Sequence, residues 1–350
     1  MAERRVACID QHGAGVLIKE EIGPPDPGQV QVEVRASLIS PGTELGRVGA
    51  LRDKANSGDA TQPPRPFGYA NAGVITAVGD GVDDVSPGDP VACMGGGYAL
   101  HADLVNVPVN LTTPVPEGVD FEAAAFAHLA ATALHAIRRA APVFGENGMV
   151  VGLGLVGQLT SQFGQLSGCH MMGVDRFADR RRLALNCGVE TVVGAEGEDP
   201  VAQASTVTGG YGMDFGVIAF GGEATAAFEQ IAASLKRAPD THRMGRIVIV
   251  GGARIEHGFA AALGNVDVRS AARTGPGYHD EAWEHGAAYP PVFVEWPTRR
   301  NLAECLRAIA AERLHVAELI THRLPLDRIG DAVDELVERP QEALGVVLIP

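Results

Sequence analysis

Residues 152–157 read GLGLVG and match the GxGxxG pattern of dinucleotide-binding turns. The pattern follows the apolar run MVV and precedes the helical segment QLTSQFGQLSG. Gly152 permits a tight turn, Gly154 lets the backbone approach a pyrophosphate, and Gly157 lets the helix pack against the strand. Phosphates would lie near Leu155 and Val156, where the unpaired N–H groups of a helix N-terminus favour anions. The sequence therefore predicts a nucleotide site at this turn.

An acidic residue, Asp175, ends the next apolar run, 18 residues after Gly157. A carboxylate here accepts hydrogen bonds from both hydroxyls of an adenosine ribose and repels a 2′-phosphate, which favours NAD(H) over NADP(H). Arg176 and the three arginines at 180–182 could instead attract a phosphate, although part of that cluster is expected to be a solvated helix face. Gly251 follows the run RIVIV, and we expect it to let the chain pass close to the nicotinamide.

The elements that must position these residues fall into two patterns. Residues 1–125 show apolar alternation and turn signals that are typical of β-strands, as at 29–39 and 73–78. Segment 121–140 predicts a helix capped by Asp120. From residue 148 short apolar runs alternate with candidate helices, which predicts parallel strands covered on both faces. Amphipathic helices and a last strand, ALGVVLIP, complete a predicted α/β fold.

Composition excludes several classes of protein. The chain has 350 residues, 46% of them hydrophobic, so it is too apolar to be disordered. A net charge of −15 argues against nucleic-acid binding, and no apolar run is long enough to cross a membrane. The five cysteines are widely spaced and form no CxxC pair, which favours buried thiols in a reducing cytoplasm. The N-terminal segment lacks the apolar run of a signal peptide, so we expect a cytoplasmic protein.

The order of a β-rich region and a nucleotide unit resembles the medium-chain dehydrogenase/reductase superfamily. The resemblance is carried by VEVRASLISPGTELGRVGA, PFGYANAGVITAVGDGVDDVSPGDPVA, YALHADLVNVP, ATALHAIRRA and VGLGLVG, and it covers essentially the whole chain. It implies a GroES-like catalytic domain from residues 1–127 and 275–350, a Rossmann NAD-binding domain from residues 128–274, and a homodimer or homotetramer.

A second resemblance concerns the zinc-lacking, sorbitol-dehydrogenase-like branch. The segment RSAARTGPGYHDEAWEHGAAYPPVFVEWPTRRNL is similar to that branch, and SPGTE also appears in bi-domain oxidoreductases and bacteriochlorophyllide dehydrogenase-like members. Where zinc-type members have ligands, this chain has Pro41, Tyr69 and His128. One imidazole and one phenol are a poor zinc set, and the four-cysteine lobe is missing, so we expect no zinc.

Without zinc, a side chain must move the proton, and histidine titrates near neutral pH. The resemblance makes His128 the leading general acid/base, because a former ligand position should face the nicotinamide pocket. Tyr69 is the second candidate, as a donor to the substrate oxygen. Thr43 aligns with a hydroxyl residue that relays a proton, and Glu44 with an acidic residue in a supporting role. Alternatively, His128 is a helix histidine satisfied locally and Tyr69 fills the space that the metal leaves.

Tyr278 and His279 lie in the segment that resembles the family's substrate-flanking loop, so we expect them to contact the substrate. The expected activity is NAD(H)-dependent interconversion of a secondary alcohol and a ketone, on a polar ring such as a sugar, a cyclitol or a natural-product polyol. The alternatives are a zinc-free enoyl or quinone reductase, an epimerase or eliminase that uses NAD transiently, and a nucleotide-binding protein without turnover. We expect no nucleic-acid or membrane partner.

Overall fold

The computed structural model describes residues 1–54 and 62–350 of the chain. They form two compact units. Unit 1 comprises Met1–Ala131 and Thr274–Pro350, and unit 2 comprises Thr132–Arg273. Unit 1 is therefore assembled from both ends of the sequence. Within the described residues, no helix has the length and apolarity needed to span a bilayer.

Unit 1 is mainly antiparallel β-structure. Its seven-stranded sheet has the order β17-β18-β3-β5-β6-β8, with β7 paired to β3, and a smaller sheet has the order β2-β1-β4. The late strand β18 pairs with β3, which joins the two sequence segments. The strands are β1 (Ala2–Ile9), β2 (Gly15–Ile22), β3 (Gln29–Leu38), β4 (Arg65–Pro66), β5 (Ala70–Val78), β6 (Pro90–Met94), β7 (Leu104–Pro108), β8 (Thr112–Pro114), β17 (Ile320–Pro325) and β18 (Gly345–Ile349).

Unit 2 is built on a six-stranded parallel sheet of order β11-β10-β9-β12-β14-β16. Its central strands are buried and read as continuous apolar runs, as parallel strands covered on both faces must. From β9 the chain adds β10 and β11 on one side of the sheet, and β12, β14 and β16 on the other. Open α/β sheets bind ligands at the point where the strand order reverses in this way. The strands are β9 (Asn147–Val151), β10 (His170–Asp175), β11 (Thr191–Gly194), β12 (Phe215–Ile218), β14 (Met244–Val250) and β16 (Asn265–Ala271), with a short pair β13 (Gly222–Glu223) and β15 (Ala253–Arg254).

The helices cover these sheets or connect their strands. Asp120 caps the first turn of the segment from residue 121 by accepting the Ala123 N–H at 2.8 Å, as the sequence predicts. The helices are α1 (Pro41–Glu44), α2 (Val48–Lys54), α3 (Phe121–Ala124), α4 (Ala127–Ala140), α5 (Leu155–Leu166), α6 (Ala178–Asn186), α7 (Pro200–Val207), α8 (Thr225–Ser234), α9 (Glu281–Glu284), α10 (Thr298–Ala310) and α11 (Ile329–Glu338). Short 3-10 turns lie at Val109–Leu111, Ala317–Leu319 and Leu326–Arg328.

One sequence expectation needs correction, and one strand was not predicted. The single helix expected over residues 121–140 is two helices, because the Phe126 N–H bonds to the Ala123 carbonyl, three residues back, and the helical ladder restarts at Ala127. The edge strand β16 was not expected, since its residues NVDVRSA are mostly exposed and lack the apolar run of the central strands. The other parallel strands, and the alternation of strands with helices, are confirmed.

Candidate functional site

The glycine-rich turn of unit 2 joins β9 to α5. Gly152 has a φ of +93°, a conformation that L side chains rarely adopt. A Cβ on Gly157 would lie 1.8 Å from the Gly152 carbonyl oxygen, so only glycine lets the helix approach the turn this closely. Gly154 is the N-cap of α5, and a Cβ there would meet no atom within 4 Å. The turn is thus closed on the protein side and open where a phosphate would approach, which fits a dinucleotide.

Asp175 lies at the end of β10 with its carboxylate buried against this turn. Its Oδ2 accepts the Leu153 N–H at 2.7 Å, and its Oδ1 accepts the Phe177 N–H at 2.8 Å. Gln158, which the sequence analysis did not single out, supports the same corner by donating to the carbonyls of Leu153 and Arg180. A carboxylate oxygen has two lone pairs and can accept a second hydrogen bond, so Asp175 has the capacity to hold the turn and also to receive ribose hydroxyls.

The arginines after Asp175 are organised around one aromatic ring. The guanidinium carbons of Arg176 and Arg180 lie 4.5 and 4.8 Å from the Phe177 ring centroid. Arg180 also lies 4.0 Å from the Asp175 carboxylate, and Arg181 donates to the Asp175 carbonyl at 2.7 Å. Part of this cluster is therefore structural. Gly251, directly after β14, has a φ of +84° and open space at its Cβ position, as a close approach to a ligand requires.

The candidate catalytic side chains of unit 1 converge on Tyr69. Thr43 and Glu44 lie in α1, directly after β3, while Tyr69 directly precedes β5 and His128 lies in the first turn of α4. The rings of Tyr69 and His128 are 4.4 Å apart between centroids. Residues that are distant in sequence thus form one cluster within a single unit.

The Tyr69 hydroxyl is held in its protonated form. The side chains of Ser40 and Thr43 hydrogen bond to it. Burial and the nearby Glu44 carboxylate raise its pKa well above the ordinary value, because both disfavour a phenolate. A hydroxyl in this state can donate a hydrogen bond and is a poor base. Ser40 was missed as a site residue, although it begins the SPGTE motif quoted above.

His128 is a buried imidazole, 7% exposed, held in one orientation. Its Nδ1 lies 2.8 Å from the Tyr69 carbonyl oxygen, so Nδ1 carries the proton and Nε2 is the acceptor. Burial lowers the pKa of His128 to about 4, against the raising effects of the Tyr69 carbonyl and the Glu44 carboxylate. The ring is thus neutral at pH 7, and burial makes its Nε2 a weaker proton acceptor than that of a free imidazole.

Tyr278 and His279 join this cluster through Tyr278. The two rings stack with centroids 3.9 Å apart, and Tyr278 lies edge-on to His128 at 6.4 Å. The Tyr278 hydroxyl accepts the Gly96 N–H at 2.7 Å. His279 has a φ of +74° and donates its N–H to the buried Glu284 at 2.7 Å, so a strained backbone is held in place beside the cluster.

His101 is the residue that sequence reasoning missed most clearly. It lies in the segment YALHADLVNVP, which carries part of the family resemblance, but no catalytic role follows for it from the sequence, which predicts a structural or surface role. In the structure its side chain is completely buried, with Nε2 3.3 Å from Oε1 of Glu44. Only the chain's path after β6 brings it there, so no local sequence signal could have found it.

The donor set of this cluster does not fit zinc. Pro41 offers no side-chain donor, and Tyr69 is protonated and hydrogen-bonded, which leaves His128 as the nitrogen ligand of the three positions. Among the described residues, no group of three or more His, Cys, Asp or Glu side chains could hold a metal ion. Zinc prefers three protein ligands beside an open position, which these residues do not supply.

Stability should fall with acidification because of His128. The unfolded histidine takes up a proton near pH 6.5 and the folded one only near pH 4, so the folded state loses stability between these values. From pH 6.5 to 5 we expect a loss of about 2 kcal/mol. Urea unfolding of the wild type and of His128→Asn, at several pH values, checks this.

Comparing the wild type with His128→Asn cancels the contribution of other titrating groups to the pH dependence of stability. One of these groups is His135, whose pKa is also lowered by burial. The unfolding free energy of the wild type minus that of the variant should be nearly constant above about pH 7.5 and should fall as the pH is lowered through 6.5 towards 4. Parallel curves across this range would contradict the assignment.

The chain is similar in sequence to several curated proteins. It is 27% identical over 243 residues to L-threonine 3-dehydrogenase of Pyrococcus abyssi, covering 61% of this chain and 68% of the relative. It is 30% identical over 194 residues to a mycocerosic acid synthase-like polyketide synthase of Mycobacterium tuberculosis, covering 55% of this chain and 9% of that protein. The chain therefore matches only a small part of the synthase. No family model matches it.

Solved structures share the fold over nearly the whole chain. An oxidoreductase/dehydrogenase of unknown specificity from Escherichia coli has a TM-score of 0.80 at 20% identity, covering 99% of both chains. Galactitol-1-phosphate dehydrogenase from Escherichia coli has a TM-score of 0.76 at 18% identity, covering 99% of this chain and 100% of its own. A mycobacterial quinone oxidoreductase has a TM-score of 0.74 at 20% identity, covering 100% of both. At these identities the similarity establishes the fold.

Proposed function

Because the chain belongs to the medium-chain dehydrogenase/reductase superfamily, we propose that it is a zinc-independent, NAD(H)-dependent dehydrogenase that interconverts a secondary alcohol and a ketone. The observation that carries this proposal is the pairing of a neutral imidazole with a protonated phenol. His128 is held through Nδ1 by the Tyr69 carbonyl, and the Tyr69 hydroxyl is held by Ser40 and Thr43. One group accepts a proton and the other donates a hydrogen bond.

In the oxidative direction, Nε2 of His128 takes the proton of the substrate hydroxyl as the carbinol carbon loses a hydride. NAD held at the glycine turn would supply the redox chemistry, as the oxidant of the carbinol carbon. Tyr69 stabilises the developing negative charge on the oxygen by hydrogen bonding, and Thr43 supports the Tyr69 hydroxyl. In reduction the same groups act in reverse, and His128 returns the proton to the oxygen.

The glycine turn of unit 2 supports the choice of cofactor. Leu155 and Val156, with Gly154, supply the N-terminal N–H groups of α5 for a pyrophosphate, and Asp175 supplies a carboxylate for the adenosine ribose. We propose a polar ring substrate, because the cluster offers hydroxyl groups and the stacked rings of Tyr278 and His279 beside His128.

The test is formation of NADH when the purified protein and NAD are offered a panel of sugars, sugar phosphates and cyclitols. Turnover of a polyol establishes the alcohol dehydrogenase activity. Tight NADH binding without turnover of any polyol contradicts it and favours transient redox chemistry, as in an epimerase. Failure to bind either nucleotide contradicts the role of the glycine turn.

A second candidate is a zinc-free reductase of conjugated carbonyl compounds or quinones. It is favoured by the structural similarity to a quinone oxidoreductase and by a cluster that does not fit zinc. Oxidation of NADH or NADPH by quinones and enones, with no turnover of polyols, would establish this activity instead.

Cofactor preference should depend on Asp175. Replacing it with asparagine removes the negative charge while keeping an oxygen for the Leu153 N–H, so NADPH should be repelled less. We expect the ratio of NADPH to NADH affinity to rise about ten-fold or more, the scale of one charged hydrogen bond. Dissociation constants from nucleotide fluorescence measure the ratio.

The matched control is Asp179→Asn, on the exposed side of α6, where the carboxylate pairs with Arg182. It removes the same charge four residues away and should leave the ratio unchanged. An equal rise in both variants would show a general charge effect and would refute a specific role for Asp175.

A further inference from the structure

The proposed reaction does not use the most deeply buried ionisable pair of the cluster. The side chains of His101 and Glu44 are 0% and 4% exposed, and His101 Nε2 lies 3.3 Å from Glu44 Oε1. Within the described part of the chain, neither His101 nitrogen nor this oxygen has a well-aligned hydrogen-bond partner. Burial of such groups costs several kcal/mol unless each is compensated by the other. Because the two groups face each other without a well-aligned hydrogen bond, the fold maintains this contact at a cost in free energy.

The backbone of His101 is fixed by hydrogen bonds and close packing on both sides. The His101 carbonyl accepts the Ala7 N–H at 2.8 Å, and its own N–H donates to the Phe67 carbonyl at 3.1 Å. A Cβ on Gly68 would lie 2.3 Å from the backbone nitrogen of His101, so glycine is needed for this packing. The ring also lies edge-on to Phe67 at 4.9 Å. The segment that anchors His101 thus leads directly into Tyr69.

Glu44 connects His101 to the groups that handle the proton. Its Oε2 accepts the Ser40 N–H at 2.6 Å, and the Ser40 hydroxyl bonds to Tyr69. The negative charge of Glu44 also raises the pKa values of both Tyr69 and His128. A displaced or protonated Glu44 would release Ser40 and remove this charge from the cluster.

We infer that His101 is a positioning residue, whose buried ring holds the Glu44 carboxylate where it orders Ser40 and Tyr69. This inference rests on the proposed function. His101 touches neither the cofactor nor the reacting atoms. It acts through Glu44, because a carboxylate buried without a polar neighbour is driven to take up a proton or to move.

The kinetic test compares two substitutions of His101. His101→Leu removes the polar ring and should lower kcat about ten-fold, with NADH affinity unchanged because the glycine turn lies in unit 2. His101→Gln keeps an N–H near the place of Nε2 and should restore most of kcat. In a Glu44→Gln background, His101→Leu should not lower kcat further, because His101 acts only through the Glu44 carboxylate. Rates are expressed per site, counted by NADH binding.

Three results would overturn the inference: an unchanged kcat in His101→Leu, an equal loss in both His101 variants, or effects that multiply with Glu44→Gln. A spectroscopic test needs neither turnover nor a folded leucine variant. In nitrogen-15 spectra, Glu44→Gln should move the ring signals of His101, and unmoved signals would disprove the contact. If the wild type oxidises no alcohol while these signals move, the proposed function fails and the His101–Glu44 contact is upheld.

Discussion

Replacing His128 with asparagine is expected to lower kcat about 10²- to 10³-fold, the usual contribution of a positioned acid or base. Asparagine keeps an N–H close to the place of Nδ1, so the bond to the Tyr69 carbonyl, 2.8 Å in the wild type, can persist. What it removes is Nε2, the proton acceptor. The affinity for NADH should stay within about two-fold, because the variant leaves the glycine turn untouched. Steady-state rates with the substrate found in the panel, together with NADH titration, measure both effects.

The matched control is His135→Asn, seven residues further along α4 and outside the cluster. It makes the same chemical change in the same helix and should keep nearly full kcat. A His128 variant with wild-type kcat would show that His128 is a helix histidine satisfied locally, which is the alternative reading of its sequence. The proton would then pass through another group, and the role given to Tyr69 would need revision.

Replacing Gly157 with alanine is expected to destabilise unit 2 by about 3 kcal/mol or more, the cost of overpacking a closed backbone contact. In an exposed helix the same change would stabilise by about 1 kcal/mol, since alanine has the higher helix propensity. Here the added Cβ would lie 1.8 Å from the Gly152 carbonyl oxygen and 2.9 Å from its carbon. These are backbone atoms with no room to yield, so the clash outweighs the propensity. Urea unfolding measures the change, and NADH affinity should fall with it.

Gly154→Ala separates the fold from the ligand. The backbone of Gly154 is in the extended region, and its Cβ would meet no protein atom within 4 Å, so the free energy of unfolding should be nearly unchanged. The new methyl group would project into the space proposed for the pyrophosphate, and NADH affinity should fall about ten-fold, on the scale of 1–3 kcal/mol for overpacking. If Gly154→Ala binds NADH normally, the pyrophosphate does not lie at this turn.

The sequence alone determined the parts of this protein that depend on local rules. The GxGxxG turn followed from residues 152–157 and their flanking strand and helix, because backbone conformation and close packing require glycine at fixed spacing. Parallel strands followed from short apolar runs that alternate with helices, since strands buried on both faces carry no polar side. The cap at Asp120 followed from the chemistry of the first helical turn.

The resemblance to a family added the positions Tyr69 and His128, and the structure then placed them within one cluster. Their protonation states were outside the reach of the sequence. Histidine alone suggests titration near neutral pH, whereas burial lowers the pKa of His128 to about 4. Tyrosine alone permits either an acid or an inert ring, whereas burial and the nearby Glu44 carboxylate keep the Tyr69 hydroxyl protonated, against the lowering effect of Ser40 and Thr43 on its pKa.

Only the tertiary structure decided that His101 meets Glu44 and that the helix from residue 121 breaks at Phe126. The first depends on a contact between segments that lie far apart in the chain. The second depends on a single backbone hydrogen bond that runs to the third residue back and not to the fourth. Spacing along a sequence specifies which face of an element a residue occupies, because helices and strands have fixed periods. It does not specify what lies opposite that face, and the free energy of a buried charge depends on its neighbours.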